Sequence, residues 1–232
     1  MVEESFWDRS WKAADSGKIA AYAEQMGIAE DPLIRYLKDR GAGYVCDAGC
    51  GCGLYSLKLA AFGFRVSGFD VSPAAVALAQ RLLSEKGCSE SSFRTADVCS
   101  TGYADGTFDA VVARDVLDHI PVRDVAAALK ELKRIVRPGG CVVLTMDKTD
   151  DEYESEPHEV SRDGDYLYTA GKWKGMVFHP WSQSGIDRLM RGYDSEILEA
   201  SGNRYTLALK KDRSEPQIGK AAYGEGTDTK AV

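Results

Sequence analysis

With 232 residues, 44% of them hydrophobic, the chain has the material for a large domain with a sizeable core. A formal net charge of −7, with no run of lysines and arginines, argues against a nucleic-acid partner, because such proteins present a basic face. No apolar stretch reaches bilayer length, and residues 1–11 are acidic and aromatic, unlike a signal peptide, so the expectation is a soluble, cytoplasmic protein with no membrane partner.

Residues 1–14 carry Phe6, Trp7 and Trp11 in a charged setting, as a lid or an interface does. The pattern Ile19, Tyr22, Ala23, Met26 predicts a helix over 15–27. Asp31-Pro32 starts another, whose stripe is Leu33, Ile34 and Leu37. Gly41 and Gly43 feed a first strand at Tyr44, which breaks into Gly49, Gly51 and Gly53 before a helix from Leu54 to Ala61. Residues 64–69 form a second strand with Asp70 at its end, and Ser72-Pro73 opens a helix to about Lys86. Residues 93–96 form a third strand closed by Asp97, and 108–113 a fourth.

From Pro121 a helix turns Val122, Val125, Leu129, Leu132 and Val136 inward, until Pro138-Gly139-Gly140 stops it before a fifth strand, 141–146. The acidic stretch 148–158 reads as a loop, and 159–169 as a hairpin around Asp163-Gly164. A helix follows from Ser182, then strands 195–198 and 205–209 around a turn at 201–203. Residues 212–232 lack periodicity and read as a disordered tail. Strands alternating with helices give an α/β fold with a doubly wound, mostly parallel sheet. Ligands of such sheets bind at the carboxyl ends of the strands.

The glycine turn, Tyr44-Val-Cys-Asp-Ala-Gly-Cys-Gly-Cys-Gly53, is of the nucleotide-binding kind, but its third glycine comes one residue early for a dinucleotide fingerprint. Asp47 beside it would repel a pyrophosphate and suits a cation. Of the six cysteines, Cys46, Cys50 and Cys52 lie in this stretch; no further cysteine or histidine pair completes a tetrahedral set, so no metal and free thiols are expected.

The turn resembles the first motif of the class I S-adenosylmethionine-dependent methyltransferases, and the resemblance extends over residues 44–146. It implies a Rossmann-like, seven-stranded fold binding S-adenosylmethionine and releasing S-adenosylhomocysteine. The domain would span 1–211, with 1–40 as a helical lid and 148–181 as an insert over the pocket. By this resemblance Gly49, Gly51 and Gly53 approach the methionine end of the cofactor, with Asp47 nearby. Asp70 accepts from the ribose hydroxyls, Asp97 from the adenine amino group with Val98 beside the ring, and Arg114 borders the methionine part.

Methyl transfer is an in-line displacement that needs positioning above all, and a base only when the nucleophile arrives protonated. After the fourth strand the chain reads Ala-Arg-Asp-Val-Leu-Asp-His-Ile-Pro, in place of the Asn-Pro-Pro-Tyr type motif of family members that methylate amide or amino nitrogen, and so resembles the small-molecule branch. Among three histidines, His119 on the ligand edge is a candidate base, and His179 a candidate acceptor contact. Trp7, Trp11, Trp173 and Trp181 are candidates for an aromatic lid. Alternatives are a non-catalytic cofactor-binding protein, a methyltransferase acting on a protein or RNA, and, more distantly, a dehydrogenase using Asp70 on a ribose.

Overall fold

The computed structural model describes residues 5–26, 31–199, 202 and 204–212. The expected helix end at 27, parts of the 201–203 turn, and the tail from 213 lie outside the described residues. Three helices come first: α1 (Phe6–Lys12), α2 (Ser16–Gln25) and α3 (Pro32–Asp39). Each starts on a side-chain cap, with Ser5, Asp15 and Asp31 accepting from backbone amides of the first turn.

Strands and helices then alternate: β1 (Tyr44–Ala48), α4 (Leu54–Ala61), β2 (Arg65–Asp70), α5 (Pro73–Glu85), β3 (Ser92–Thr95), β4 (Phe108–Arg114), α6 (Val122–Ile135) and β5 (Val136–Asp147). An insert follows, made of α7 (Asp151–Ser155), β6 (His158–Val160), β7 (Tyr166–Tyr168), a 3-10 turn (Gly171–Trp173) and β8 (Val177–Phe178). The chain closes through α8 (Gln183–Leu189), β9 (Ser195–Glu199) and β10 (Arg204–Lys210).

The main sheet has seven strands in the order β3-β2-β1-β4-β5-β10-β9. The first five are parallel, and β10 runs antiparallel to both neighbours. The order reverses between β1 and β4, which opens a crevice at their carboxyl ends. Alternation along each strand feeds two cores. Val45, Ala110, Val112 and Val143 join the core under α3 and α4. Cys46, Val111, Val142 and Leu144 join the core under α6 and α8, where Leu129 and Leu132 are fully buried. Each such leucine contributes roughly 1.5–3 kcal/mol.

Three expectations are corrected. Helix α6 ends at Ile135, before Pro138-Gly139-Gly140; Val136 is already extended and pairs with Phe108. Gly139 has φ 80°, and Gly140 packs so close to the Asp109 carbonyl that a Cβ would collide. The Pro-Gly-Gly run is thus an irregularity inside β5, with the register shifting beside it. The stretch 148–158 contains a helix, α7. Asp150 caps it by accepting from the amides of Glu152 and Tyr153, and three acids in the first turn suit the positive end of the helix. The expected hairpin has a third strand, β8, which pairs with β7.

Candidate functional site

From β1 the backbone turns through Gly49 (φ 66°), Gly51 (φ 51°) and Gly53 (φ 85°), a region that other residues enter at a cost. The three glycines serve different neighbours. A Cβ at Gly49 would meet Val116 Cγ2 at 2.5 Å, and one at Gly51 would meet Trp11 Cζ2 at 2.8 Å. A Cβ at Gly53 would meet Ala79 of α5 at 2.9 Å. Gly53 therefore lets α4 pack on α5, whereas Gly49 and Gly51 border a cavity.

That cavity has a volume of about 460 Å³ and lies along the carboxyl ends of β1 to β4. From β2 it is lined by Phe69, Asp70 and Val71; from the end of β3 by Ala96, Asp97 and Val98. Beyond β4 it is lined by Arg114, Asp115, Val116, His119 and Ile120, and from the amino-terminal side by Ser5, Trp7 and Trp11. Among the described residues of the expected lid, only α1 and its cap Ser5 reach it; α3 packs on the opposite core. No residue of the insert lines it.

Asp70 is held before any ligand arrives. Its Oδ2 accepts from the Gly51 amide and its Oδ1 from the Ser72 amide, each at 2.9 Å. Burial raises its pKa above the usual value, opposed by these two amides. The amides of Cys50 and Gly53 are also committed, to the Phe69 and Cys50 carbonyls. A pyrophosphate at a glycine turn needs such amides free. Asp97 Oδ1 accepts from the Cys99 amide at 2.7 Å. The Arg114 guanidinium lies 4.3 Å over the Tyr55 ring.

Asp47 stands behind the turn, off the cavity wall. It is 2% exposed, and its Oδ2 accepts from Ser56 Oγ at 2.5 Å. Burial pushes its pKa up to about 6. A sequence cannot show which side of a turn a carboxylate takes, and this one faces the core.

His119 lies edge-on to Trp7 with ring centroids 5.0 Å apart, and its Nδ1 is 3.4 Å from the Val177 carbonyl. Burial lowers its pKa, so the imidazole is neutral at neutral pH. His179 is not on the cavity wall. Its Nδ1 pairs with Asp165 Oδ1 at 2.9 Å, and the same oxygen accepts from the Val122 amide at 3.0 Å. This pair fastens the insert to the start of α6. Trp173 and Trp181 also stay off the wall: Trp173 packs in the insert cluster, and Trp181 is buried in the main core.

Helix α1 is tied down on both sides. Asp8 Oδ1 accepts from Ser72 Oγ at 2.7 Å and from the Ala74 amide at 3.2 Å, which fixes α1 to the start of α5. Arg9 Nη2 donates to the Lys174 carbonyl at 2.9 Å, which fixes it to the insert. Three carboxylates at the ends of β4 and β5, Asp115, Asp118 and Asp147, come together without standing out in the sequence. Two of them stand at strand ends, as Asp70 does, and that was the available signal. Burial, with the charges of Asp115 and Asp147, raises Asp118 to about 8.

A family model described as a methyltransferase domain matches residues 45–140. The chain is 34% identical over 163 residues to the 2-heptyl-1-hydroxyquinolin-4(1H)-one methyltransferase of Mycobacteroides abscessus, covering 68% of this chain and 71% of that one. It is 39% identical over 106 residues to the ubiquinone biosynthesis O-methyltransferase of Methylocella silvestris, covering 45% and 40%. The chain spans half or less of the length of this and three further curated relatives. The magnesium protoporphyrin IX methyltransferase of Synechocystis, solved with bound S-adenosylmethionine, superposes with a TM-score of 0.55 at 20% identity, covering 89% of this chain and 90% of that one. At that identity the likeness is one of fold. The relative matched over most of its length, together with the glycine turn and the sheet order, shows that the chain belongs to the class I S-adenosylmethionine-dependent methyltransferases.

Proposed function

We propose that the chain moves the methyl group of S-adenosylmethionine to a small-molecule acceptor, with S-adenosylhomocysteine as product. The observation that carries this reading is the cavity at the ends of β1 to β4, whose glycine turn has committed its Cys50, Gly51 and Gly53 amides to the protein and whose polar lining includes Asp70 and Asp97. Such a lining offers acceptors to hydroxyl and amino groups, and three of the amides a pyrophosphate would need are already taken. The volume of about 460 Å³ falls within the range of roughly 300–1,000 Å³ usual for small-molecule sites.

When bound, the cofactor supplies a methyl group already activated on a sulfonium. The rest is the work of the chain. Asp70 keeps lone pairs on both oxygens for a pair of sugar hydroxyls, and its two amide bonds hold the carboxylate in place. Asp97 accepts from a purine amino group, with Val98 and Val71 against the ring. Gly49 and Gly51 allow close backbone approach, and Arg114 borders the same end. Asp47 acts from behind the turn as a negative charge that favours a cation. Trp7 and Trp11 on α1 exclude water, and catalysis rests on holding the nucleophile in line.

His119 is the base in this reading. With Nδ1–H turned to the Val177 carbonyl, Nε2 is left to take a proton from an acceptor hydroxyl. Relatives named for a hydroxyquinolinone and for an O-methylation support a hydroxyl acceptor. His179 holds the insert in place. The net charge of −7 supports a small acceptor over RNA, and buried Cys46, Cys50, Cys52 and Cys141 support a reducing, cytoplasmic setting. No described helix is long and apolar enough to cross a membrane. The test is incubation with methyl-labelled S-adenosylmethionine and a panel of hydroxylated aromatic acceptors. Label should pass to at least one of them; label passing to none, with cofactor still bound, would contradict the enzyme reading.

A further inference from the structure

Asp97 lines the cavity from a turn just past β3, and its side chain is exposed. Packing does not hold it, so its place is set by whatever holds the turn. Its Oδ1 accepts from the Cys99 amide at 2.7 Å, and the Ser100 amide donates to its carbonyl at 3.0 Å. These bonds close the turn on itself without fixing it against the cavity. The outside anchor is Thr101, which is 2% exposed. Its amide at 2.8 Å and its Oγ1 at 2.6 Å both donate to Glu131 Oε1.

Glu131 is the one charged residue among those that α6 buries, and the proposed transfer makes no direct use of it. Arg134, three residues on, donates from Nε to Oε2 and from Nη2 to Oε1, each at 2.7 Å. Burial opposes the ionisation of Glu131, but the bonds from Arg134 and Thr101 outweigh it, and its pKa lies below the usual value. The same guanidinium donates to the Tyr103 carbonyl at 2.8 Å and to Asp105 Oδ1. The Tyr103 hydroxyl in turn donates to the Gly68 carbonyl of β2 at 3.1 Å. The stretch after Asp97 is thus pinned between α6 and the strand that ends in Asp70. A buried, paired charge adds little to stability over an apolar side chain of similar volume. What the carboxylate adds here is a fixed acceptor for two donors of one residue.

We propose that Glu131 is a positioning residue for purine recognition: through Thr101 it sets the turn that presents Asp97 to the amino group of the bound nucleoside. The inference rests on the cofactor reading above and deepens it, by naming the residue on which a preference for an amino over an oxo purine depends. An amino group donates to the Asp97 carboxylate, whereas an oxo group in its place turns lone pairs toward a negative charge.

The test is calorimetric binding of S-adenosylhomocysteine to the full chain, beside S-inosylhomocysteine, in which an oxo group replaces the amino group. Wild type should favour the adenosyl compound by about 10-fold or more. Glu131→Gln, close in size but with an amide that cannot accept from both Thr101 and Arg134 on all its bonds, should narrow the preference to about 3-fold or less. The loss should fall on the adenosyl compound, with the inosyl compound bound as before. Thr101→Val removes only the hydroxyl donor and serves should Glu131→Gln fail to fold; it should narrow the preference in the same direction, and Thr101→Ser should keep it. A folded Glu131→Gln or Thr101→Val that weakens both ligands equally, or that keeps the wild-type preference, overturns the proposal and leaves Glu131 a purely structural residue. Wild type that binds both ligands equally removes Asp97 from purine recognition, and the proposal with it. Wild type that binds neither contradicts the cofactor reading itself, on which the proposal stands.

Discussion

The Gly51 amide donates to Asp70 Oδ2 at 2.9 Å, which joins the glycine turn to the end of β2. The turn and the carboxylate therefore cannot be altered separately. Asp70→Ala should orphan the Gly51 and Ser72 amides at a cost of about 1–3 kcal/mol each, measured by denaturant unfolding. It should also weaken S-adenosylhomocysteine binding by about 100-fold or more, as two charge-assisted hydrogen bonds are lost. Unchanged affinity in calorimetry would remove Asp70 from the cofactor site.

Gly51→Ala and Gly53→Ala should differ. Both carry the left-handed cost of about 1–2 kcal/mol. At Gly51 the new methyl would stand 2.8 Å from Trp11 Cζ2, so the Trp11 ring has to shift. Trp11 should then become more accessible to acrylamide quenching, and cofactor affinity should fall. At Gly53 the clash is with Ala79, so stability should fall with the tryptophans unchanged. Equal quenching in the two variants would contradict the contact between α1 and the turn.

Asp47 gives a pH signature of defined sign. Its carboxyl is raised from 3.8 to about 6 by burial. Between these values the folded chain keeps a proton that the unfolded chain has released. This contribution to stability is complete below the unfolded value and is lost as pH rises through the folded one, by about 3 kcal/mol in total. Asp47→Asn should lack that fall. The check is the difference in unfolding free energy between wild type and variant from pH 4 to 7; parallel profiles would contradict a buried, raised Asp47.

His119→Asn should lower kcat by about 10²–10⁴-fold if the imidazole takes the acceptor proton. Its affinity for S-adenosylhomocysteine should change little. A matching loss of cofactor affinity would assign His119 to packing against Trp7 and Phe178 instead.

The frame of the site was legible because its physics leaves local marks. Short, nearly continuous apolar runs placed the parallel strands, and positive φ demanded glycine at 49, 51 and 53. Asp70 and Asp97 stood out because they close strands. What stayed hidden depends on contacts made far along the chain. Gly53 and Asp47 belong to the same motif, yet one faces Ala79 and the other Ser56. Asp165 claims His179 from across a hairpin, and Arg204 reaches Asp115 and Asp147 from the last strand. The acids of 151–155 form a helix and not a solvated loop because Asp150 caps it, a role that its charge alone does not reveal in the sequence.

The central claim is that the cavity beside Gly49 and Gly51 takes an adenosyl compound that carries no phosphate. Isothermal titration calorimetry of the full chain with S-adenosylhomocysteine, and in parallel with NADH, tests it most directly. One molecule of S-adenosylhomocysteine per chain, with no heat from NADH, is the expected result. Binding of NADH that S-adenosylhomocysteine fails to displace, or no binding of S-adenosylhomocysteine at all, would contradict it.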